Sequence, residues 1–197
     1  QTDGLAKLAS EDALTGLANR RSLDLSYKKL FEQTRTEGRP ISVAVADIDS
    51  FKLINDNLGH HAGDDVIRQV ALKLKQVTRG RDLVARIGGD EFGILLFDQS
   101  VAEAVLVAER LQLALAGYRF VWREKSFGVG VSIGMVGLDG ASESVGALLQ
   151  AADSACYVAK DAGRNRVELV DSAQYLNYRK SVIDFLYTRQ AHVEKTA

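Results

Sequence analysis

Cross-links and forced breaks are scarce in this chain. It holds one cysteine, Cys156, and one proline, Pro40. A single thiol excludes an internal disulfide and a metal site built from several cysteines. It also suits a reducing, cytoplasmic setting. Excess charge is missing too: 25 basic residues face 26 acidic ones, for a formal net charge of -1. No global field therefore draws the chain to nucleic acid or to an anionic membrane surface. Any phosphate it handles must be held by local charge, backbone N–H groups or metal. No apolar run approaches the roughly 20 residues that span a bilayer, and the start carries no signal-peptide pattern. There is no low-complexity tract and no internal repeat.

What is present suffices for one sizeable core: 197 residues, of which 46% are hydrophobic. The chain begins on Gln1, and residues 1–11, with Leu5 and Leu8, read as the end of an amphipathic helix arriving from an upstream segment. A turn-rich stretch, Asp12-Ala-Leu-Thr-Gly-Leu-Ala-Asn-Arg-Arg21, leads into a helix whose stripe is Leu23, Tyr27, Leu30 and Phe31. Gly38-Arg39-Pro40 stops it. Residues 41–48 are short, apolar and β-branched, which predicts a buried strand. A polar loop is expected through Gly63, then a helix over 64–79. Residues 83–87 and 92–97 read as strands joined by a hairpin at Gly88-Gly89-Asp90-Glu91, whose glycines are expected to supply positive φ. A helix over 101–116, a strand over 128–137 and a helix over 145–162 follow. The order βαββαβ implies an α/β sandwich with one mixed or antiparallel sheet. From Asp171 onward, Tyr175, Tyr178, Val182, Phe185 and Leu186 repeat at helical spacing, which predicts an additional C-terminal helix. The expected division is 1–11, 12–170 and 171–197.

Three groups of residues carry chemistry. Asp47-Ile48-Asp49 ends an apolar strand and so lies at a sheet rim. Asp90 and Glu91 sit on a two-glycine turn, where like charges repel and glycine costs entropy, a poor choice for stability alone. If the two rims meet, Asp47, Asp49, Asp90 and Glu91 form a hard-oxygen cluster suited to Mg²⁺ or Mn²⁺. Lys160 and Arg164, four residues apart at a helix end, could grip a triphosphate. Carboxylates, metals and cations together equip a site for phosphoryl or nucleotidyl transfer. Blander readings stand beside each group. The hairpin could be a solvated acidic turn, Lys160 and Arg164 could complement a helix C-terminus, and Asp64 could cap the following helix.

Taken together, the motifs resemble the GGDEF family of diguanylate cyclases, from about residue 10 to residue 170. The match lies in Asp12-x-Leu-Thr-Gly-Leu-x-Asn-Arg-Arg21, Asp47-Ile-Asp-x-Phe-Lys-x-Ile-Asn-Asp56, Gly59-His60-x-x-Gly63-Asp64, Gly88-Gly89-Asp90-Glu91-Phe92 and Ala159-Lys160-x-x-Gly163-Arg164-Asn165. The resemblance implies a palm-like α/β fold with a ferredoxin-like βαββαβ core and a mixed sheet flanked by helices, as in nucleotidyl cyclases. It implies condensation of two GTP into cyclic di-GMP, with two Mg²⁺ (or Mn²⁺) ions per active site. Asp47, the carbonyl of Ile48 and Asp90 would hold the metals, and Asp90, with Glu91 beside it, would accept the proton of the 3′-hydroxyl. Lys52 would stabilise transition-state charge. Asn55 and Asp64 would bind the guanine edge, with Phe51 and His60 in the same substrate-binding segment, and Lys160 and Arg164 would bind the β- and γ-phosphates. Each domain would bind one GTP, so catalysis requires a homodimer, governed by an N-terminal sensory or regulatory domain.

The resemblance also implies a product-inhibition site at Arg79-x-x-Asp82, with Arg110 on the next helix. Its bland counterpart is a solvated salt bridge at a helix end. Ser50 and Cys156 depart from the commoner residues of the family, and Cys156 reads as a small buried hydrophobe. The other functional class is a non-catalytic effector that binds cyclic di-GMP or GTP. Degenerate members tend to lose the signature carboxylates or the phosphate-binding lysine, and this chain keeps all of them. Relaxed choice between GTP and ATP is disfavoured by Asp64. The expected location is cytoplasmic, as a free protein or as the cytoplasmic part of a larger, membrane-bound one.

Overall fold

The architecture, seen in a computed structural model that describes residues 10–138 and 144–170, grows outward from one strand. β2 (Ile41–Ile48) is buried along its whole length. It alternates Ala44, Ala46 and Ile48 into one core with Ile41, Val43 and Val45 into another. A strand buried on both faces reads as a near-continuous apolar run rather than an apolar–polar alternation, and 41–48 is apolar apart from Ser42 and Asp47. β4 (Glu91–Phe97) and β7 (Val131–Leu138) pair with it antiparallel on either side. β3 (Leu83–Arg86) continues beyond β4. Two parallel edges complete the sheet, β1 (Ala18–Asn19) on β3 and β8 (Val167–Val170) on β7. The order is β1-β3-β4-β2-β7-β8, a mixed six-stranded sheet.

Helices cover both faces. α3 (His60–Val77) and α4 (Val101–Ala116) bury Val66, Ile67, Val70, Leu74, Val107 and Leu111 against one. α1 (Arg20–Glu37) and α5 (Val145–Asp161) bury Leu23, Tyr27, Leu148, Ala152 and Cys156 against the other. α5 lies unusually close to β7: a Cβ at Gly134 would collide with the Ala152 carbonyl and the Cys156 amide. Only glycine permits that approach. Cys156 is fully buried, and its thiol donates to the Ser132 carbonyl at 3.2 Å. Burial pushes its pKa up to about 12, so it is an inert core group, as expected.

Several expectations need correction. The polar loop expected through Gly63 is instead a short helix, α2 (Phe51–Leu58), and α3 begins at His60, four residues early. Gly59, with φ of 86°, separates the two. A second, two-stranded sheet, β5 (Arg119–Trp122) and β6 (Lys125–Gly128), was not foreseen, nor was β8. Neither Gly88 nor Gly89 has positive φ. Gly88 makes room instead, because a Cβ there would lie 2.8 Å from Glu91 Oε2. The helices expected over 1–11 and after 171 fall outside the described residues, apart from the first residues of the described part.

Candidate active site

The antiparallel register brings the two acidic motifs together. Asp47 lies directly opposite Glu91, and the Ile48 amide donates to the Asp90 carbonyl at 3.2 Å. The end of β2 and the hairpin turn thus form one rim. From the other face, the last turn of α5 delivers Lys160, whose ammonium sits 2.7 Å from Asp47 Oδ1. The Asp47 side chain is 8% exposed and that of Lys160 32%. Burial pushes the Asp47 pKa up to about 6, and the neighbouring charges of Asp90 and Glu91 add to the rise against Lys160. Burial also raises Glu91, reinforced by Asp153 and Asp90 and opposed by Lys160 and Arg20. On Lys160, burial works against the charge, but the bond to Asp47 and the charges of Asp47, Cys156 and Asp90 together outweigh it and the pKa rises.

Asp49 does not join this group. One of its oxygens accepts the Ser132 hydroxyl at 2.6 Å and the other the Asn165 amide at 2.9 Å. The four-carboxylate cluster is therefore reduced to Asp47, Asp90 and Glu91, with Asp49 buried behind it as a tie to another loop. Among the described residues no three His, Cys, Asp or Glu side chains stand as a ready-made metal cage. That donor set still fits Mg²⁺, which is commonly bound by one or two carboxylates and completed by water and substrate phosphates. Three carboxylates opposed by one lysine also leave an excess of negative charge that favours a cation.

Asn55 on α2 packs against Gly63 of α3, the residue before Asp64. Asn55 Oδ1 is buried with no hydrogen-bond partner. It points toward Gly63, where any Cβ would collide with it and would lie 3.0 Å from the Phe51 ring. A buried acceptor without a partner is costly, and a ligand donor removes that cost. Asp64 is within α3, whose N-cap is Gly59, so the capping alternative for Asp64 falls. Lys52 and His60 are exposed on the same two helices, and Arg164 is exposed in the left-handed conformation just beyond α5.

Arg86, two residues before the glycine pair, belongs to none of the motifs that carry the site, yet it holds the hairpin. Its guanidinium donates to the Gly88 and Gly89 carbonyls, at 2.8 Å in the shortest case, and to both oxygens of Asp12 at 3.2–3.3 Å. Asp12 in turn accepts the Thr15 amide and hydroxyl. Burial acts to raise the Asp12 pKa, but these Thr15 bonds and Arg86 win, and it is lowered. The acidic hairpin is therefore braced from below by a side chain that also holds the entry turn.

Arg79 and Asp82 line a separate cavity of about 510 Å³ with Lys75, Ser10 and Glu11. Arg79 is exposed, whereas the Asp82 carboxylate is already engaged, accepting the Arg79, Phe97 and Gln99 N–H groups. Arg110 is exposed on α4 and does not line this cavity.

The sequence pattern described as "Diguanylate cyclase, GGDEF domain" matches residues 9–166. The chain belongs to this family. It is 37% identical over 170 residues to the probable diguanylate cyclase DgcE of Escherichia coli, covering 86% of this chain and 15% of DgcE. It is 39% identical over 167 residues to the response regulator PleD of Caulobacter vibrioides, covering 84% of this chain and 37% of PleD. The chain thus spans well under half the length of these relatives. Among solved structures, the coiled coil and GGDEF domain of DgcB from Caulobacter crescentus, in complex with c-di-GMP, superimposes with a TM-score of 0.81 at 30% identity. That match covers 86% of this chain and 90% of the other. The diguanylate cyclase SiaD of Pseudomonas aeruginosa, in complex with its activator SiaC, gives 0.80 at 30% identity, covering 86% and 65%. The palm-like fold expected of a GGDEF domain is the fold found. No helix among the described residues is long and apolar enough to cross a membrane.

Proposed function

We propose that this GGDEF domain condenses two GTP molecules into cyclic di-GMP, releasing two pyrophosphates. The observation that carries the reading is the junction of Asp47 with Glu91 and Asp90 across the β2–β4 register. It places carboxylates from two distant motifs on one rim, beside a lysine from a third. In each half-reaction a 3′-oxygen bonds to the α-phosphorus of the other nucleotide, the bond from that phosphorus to the bridging oxygen of pyrophosphate breaks, and the hydroxyl proton leaves. Asp90, with Glu91 beside it, is positioned to take that proton. Asp47, the Ile48 carbonyl and Asp90 would hold two Mg²⁺ or Mn²⁺ ions, which would neutralise the charge building on the phosphates.

The chain's own groups supply the rest. The Asn55 carboxamide, whose oxygen lacks a partner, suits a guanine N–H once a side-chain rotation brings that oxygen out from Gly63, and the Asp64 carboxylate suits the guanine N1–H and amino group. A site built around such acceptors rejects a base that cannot donate to them. Lys160 and Arg164 flank the place for the triphosphate, and Lys52 would answer transition-state charge from α2. One domain holds one nucleotide, so two copies must face each other. Product binding at Arg79, Asp82 and Arg110 would provide feedback. The lone thiol suits the cytoplasm, and a regulatory partner joined ahead of residue 10 would control the encounter of two domains.

The test is incubation of the purified chain with GTP and Mg²⁺, with chromatography for cyclic di-GMP and pyrophosphate. Product should form, with specific activity that rises with protein concentration while the chain is mainly monomeric. Asp90→Ala should lose at least about a hundredfold, the equivalent of roughly 2.7 kcal/mol of transition-state stabilisation. Binding of cyclic di-GMP without any synthesis from GTP would favour the effector reading instead.

A further inference from the structure

The Lys160 ammonium lies 2.7 Å from Asp47 Oδ1, on a side chain that is 8% exposed and flanked by two more carboxylates. Of the charges acting on Asp47, those of Asp90 and Glu91 repel its own and that of Lys160 attracts. On the reading above, Asp47 is also a metal ligand. The same carboxylate is then claimed by two cations. A divalent ion bonded at about 2.0–2.1 Å to that carboxylate is disfavoured by an ammonium in contact with it, because the like charges repel at close range in a partly desolvated site.

We propose that Lys160 is the exchangeable counter-ion of Asp47: in the metal-free domain it holds the position of a divalent cation, and it cedes that position when nucleotide phosphates accept it. The side chain is suited to the exchange. It leaves the last turn of α5 on four flexible methylenes and is one-third exposed, so it can swing away without unpacking the core. Metal arriving without nucleotide must strip Lys160 from a buried partner and leaves the ammonium unpaired. Metal arriving with nucleotide leaves Lys160 paired to phosphate. Metal and nucleotide therefore bind interdependently through this side chain, and the coupling is reciprocal. A lysine serving only as a phosphate ligand would leave binding of metal alone untouched.

The experiment measures Mn²⁺ binding by electron paramagnetic resonance, without nucleotide, to the whole chain and to Lys160→Met, Lys160→Gln and Lys160→Arg. Circular dichroism checks that each variant is folded. The two neutral variants should bind Mn²⁺ roughly tenfold more tightly or better, within the usual range of coupling between sites. Lys160→Arg keeps the charge and should stay near the parent. Asp47→Asn should remove the binding in every background. Neutral variants that bind Mn²⁺ no more tightly than the parent, while Asp47→Asn still abolishes it, overturn the exchange but leave the metal reading standing. Absence of any Asp47-dependent binding, with or without a non-hydrolysable GTP analogue, overturns both.

Discussion

The Asp49 carboxylate accepts the backbone N–H of Asn165 at 2.9 Å, joining the end of β2 to a loop 116 residues further along the chain. Its second oxygen holds Ser132 on β7. The loop it ties contains three consecutive positive φ values, at Gly163, Arg164 and Asn165, and presents Arg164. Asp49 acts as an anchor for the loop that presents Arg164, the end of the site proposed to bind phosphate. Asp49→Ala should destabilise the fold by about 1–3 kcal/mol, the usual result of stranding buried partners. It should raise KM for GTP more than it lowers kcat. Urea denaturation and steady-state kinetics check both; a loss confined to kcat, like that of Asp90→Ala, would mean that Asp49 belongs with the metal ligands after all.

Asp47 sets a pH dependence of stability. Its folded pKa of about 6 lies above the ordinary 3.8. Between those values the folded chain holds a proton that the unfolded chain has lost, so stability falls as pH rises through this window. The raised Glu91 works in the same sense. Without metal, Asp47→Asn should match the parent near pH 4 and exceed it by about 1–3 kcal/mol above pH 6. Denaturant melts at both ends of the range measure the difference, and a gap that is constant with pH would refute the assignment to Asp47.

On the proposed reading, the α2–α3 corner governs base choice. Asp64→Ser should lower the GTP-to-ATP ratio of kcat/KM by about tenfold or more, since the acceptor that leaves adenine unmatched is gone. Competition kinetics with both nucleotides give the ratio. An unchanged value would put the guanine elsewhere.

Feedback should separate cleanly at Arg79. The Asp82 carboxylate is built into the turn before β3, so its removal disturbs local structure, whereas the Arg79 side chain is exposed. Arg79→Ala should abolish product inhibition and retain synthesis. Calorimetry with cyclic di-GMP provides the check, and parent-like affinity in the variant would move the inhibitory site.

Legibility in the sequence followed burial. β2 was readable as a short, largely apolar and β-branched run, and α4 and α5 because their apolar positions recur at the helical period. α2 was not, because it is only 8 residues long and none is fully buried, so the helical spacing of Phe51, Ile54 and Leu58 covers too few turns to stand out from a polar stretch. The β5–β6 hairpin hid for another reason: its turn uses Arg123 at a φ of 54° where glycine or asparagine would have signalled a break. In the site, the motifs named the residues, but only the register showed that Asp47 faces Glu91 while Asp49 turns away. Residue types alone could not distinguish Asp47, the last-but-one residue of β2, from Asp49 just beyond its end, because the partners that tie Asp49 down lie 83 and 116 residues further along the chain.

The brace formed by Arg86 has a mechanical meaning. One guanidinium grips the Asp12 turn and the carbonyls of Gly88 and Gly89 at once. A twist or tilt passed into the Asp12 turn would be carried by this brace to the acidic rim, reorienting it with its internal distances kept. Control of this kind would act on where the rim is aimed, and so on whether two rims meet, rather than on how well either one is assembled.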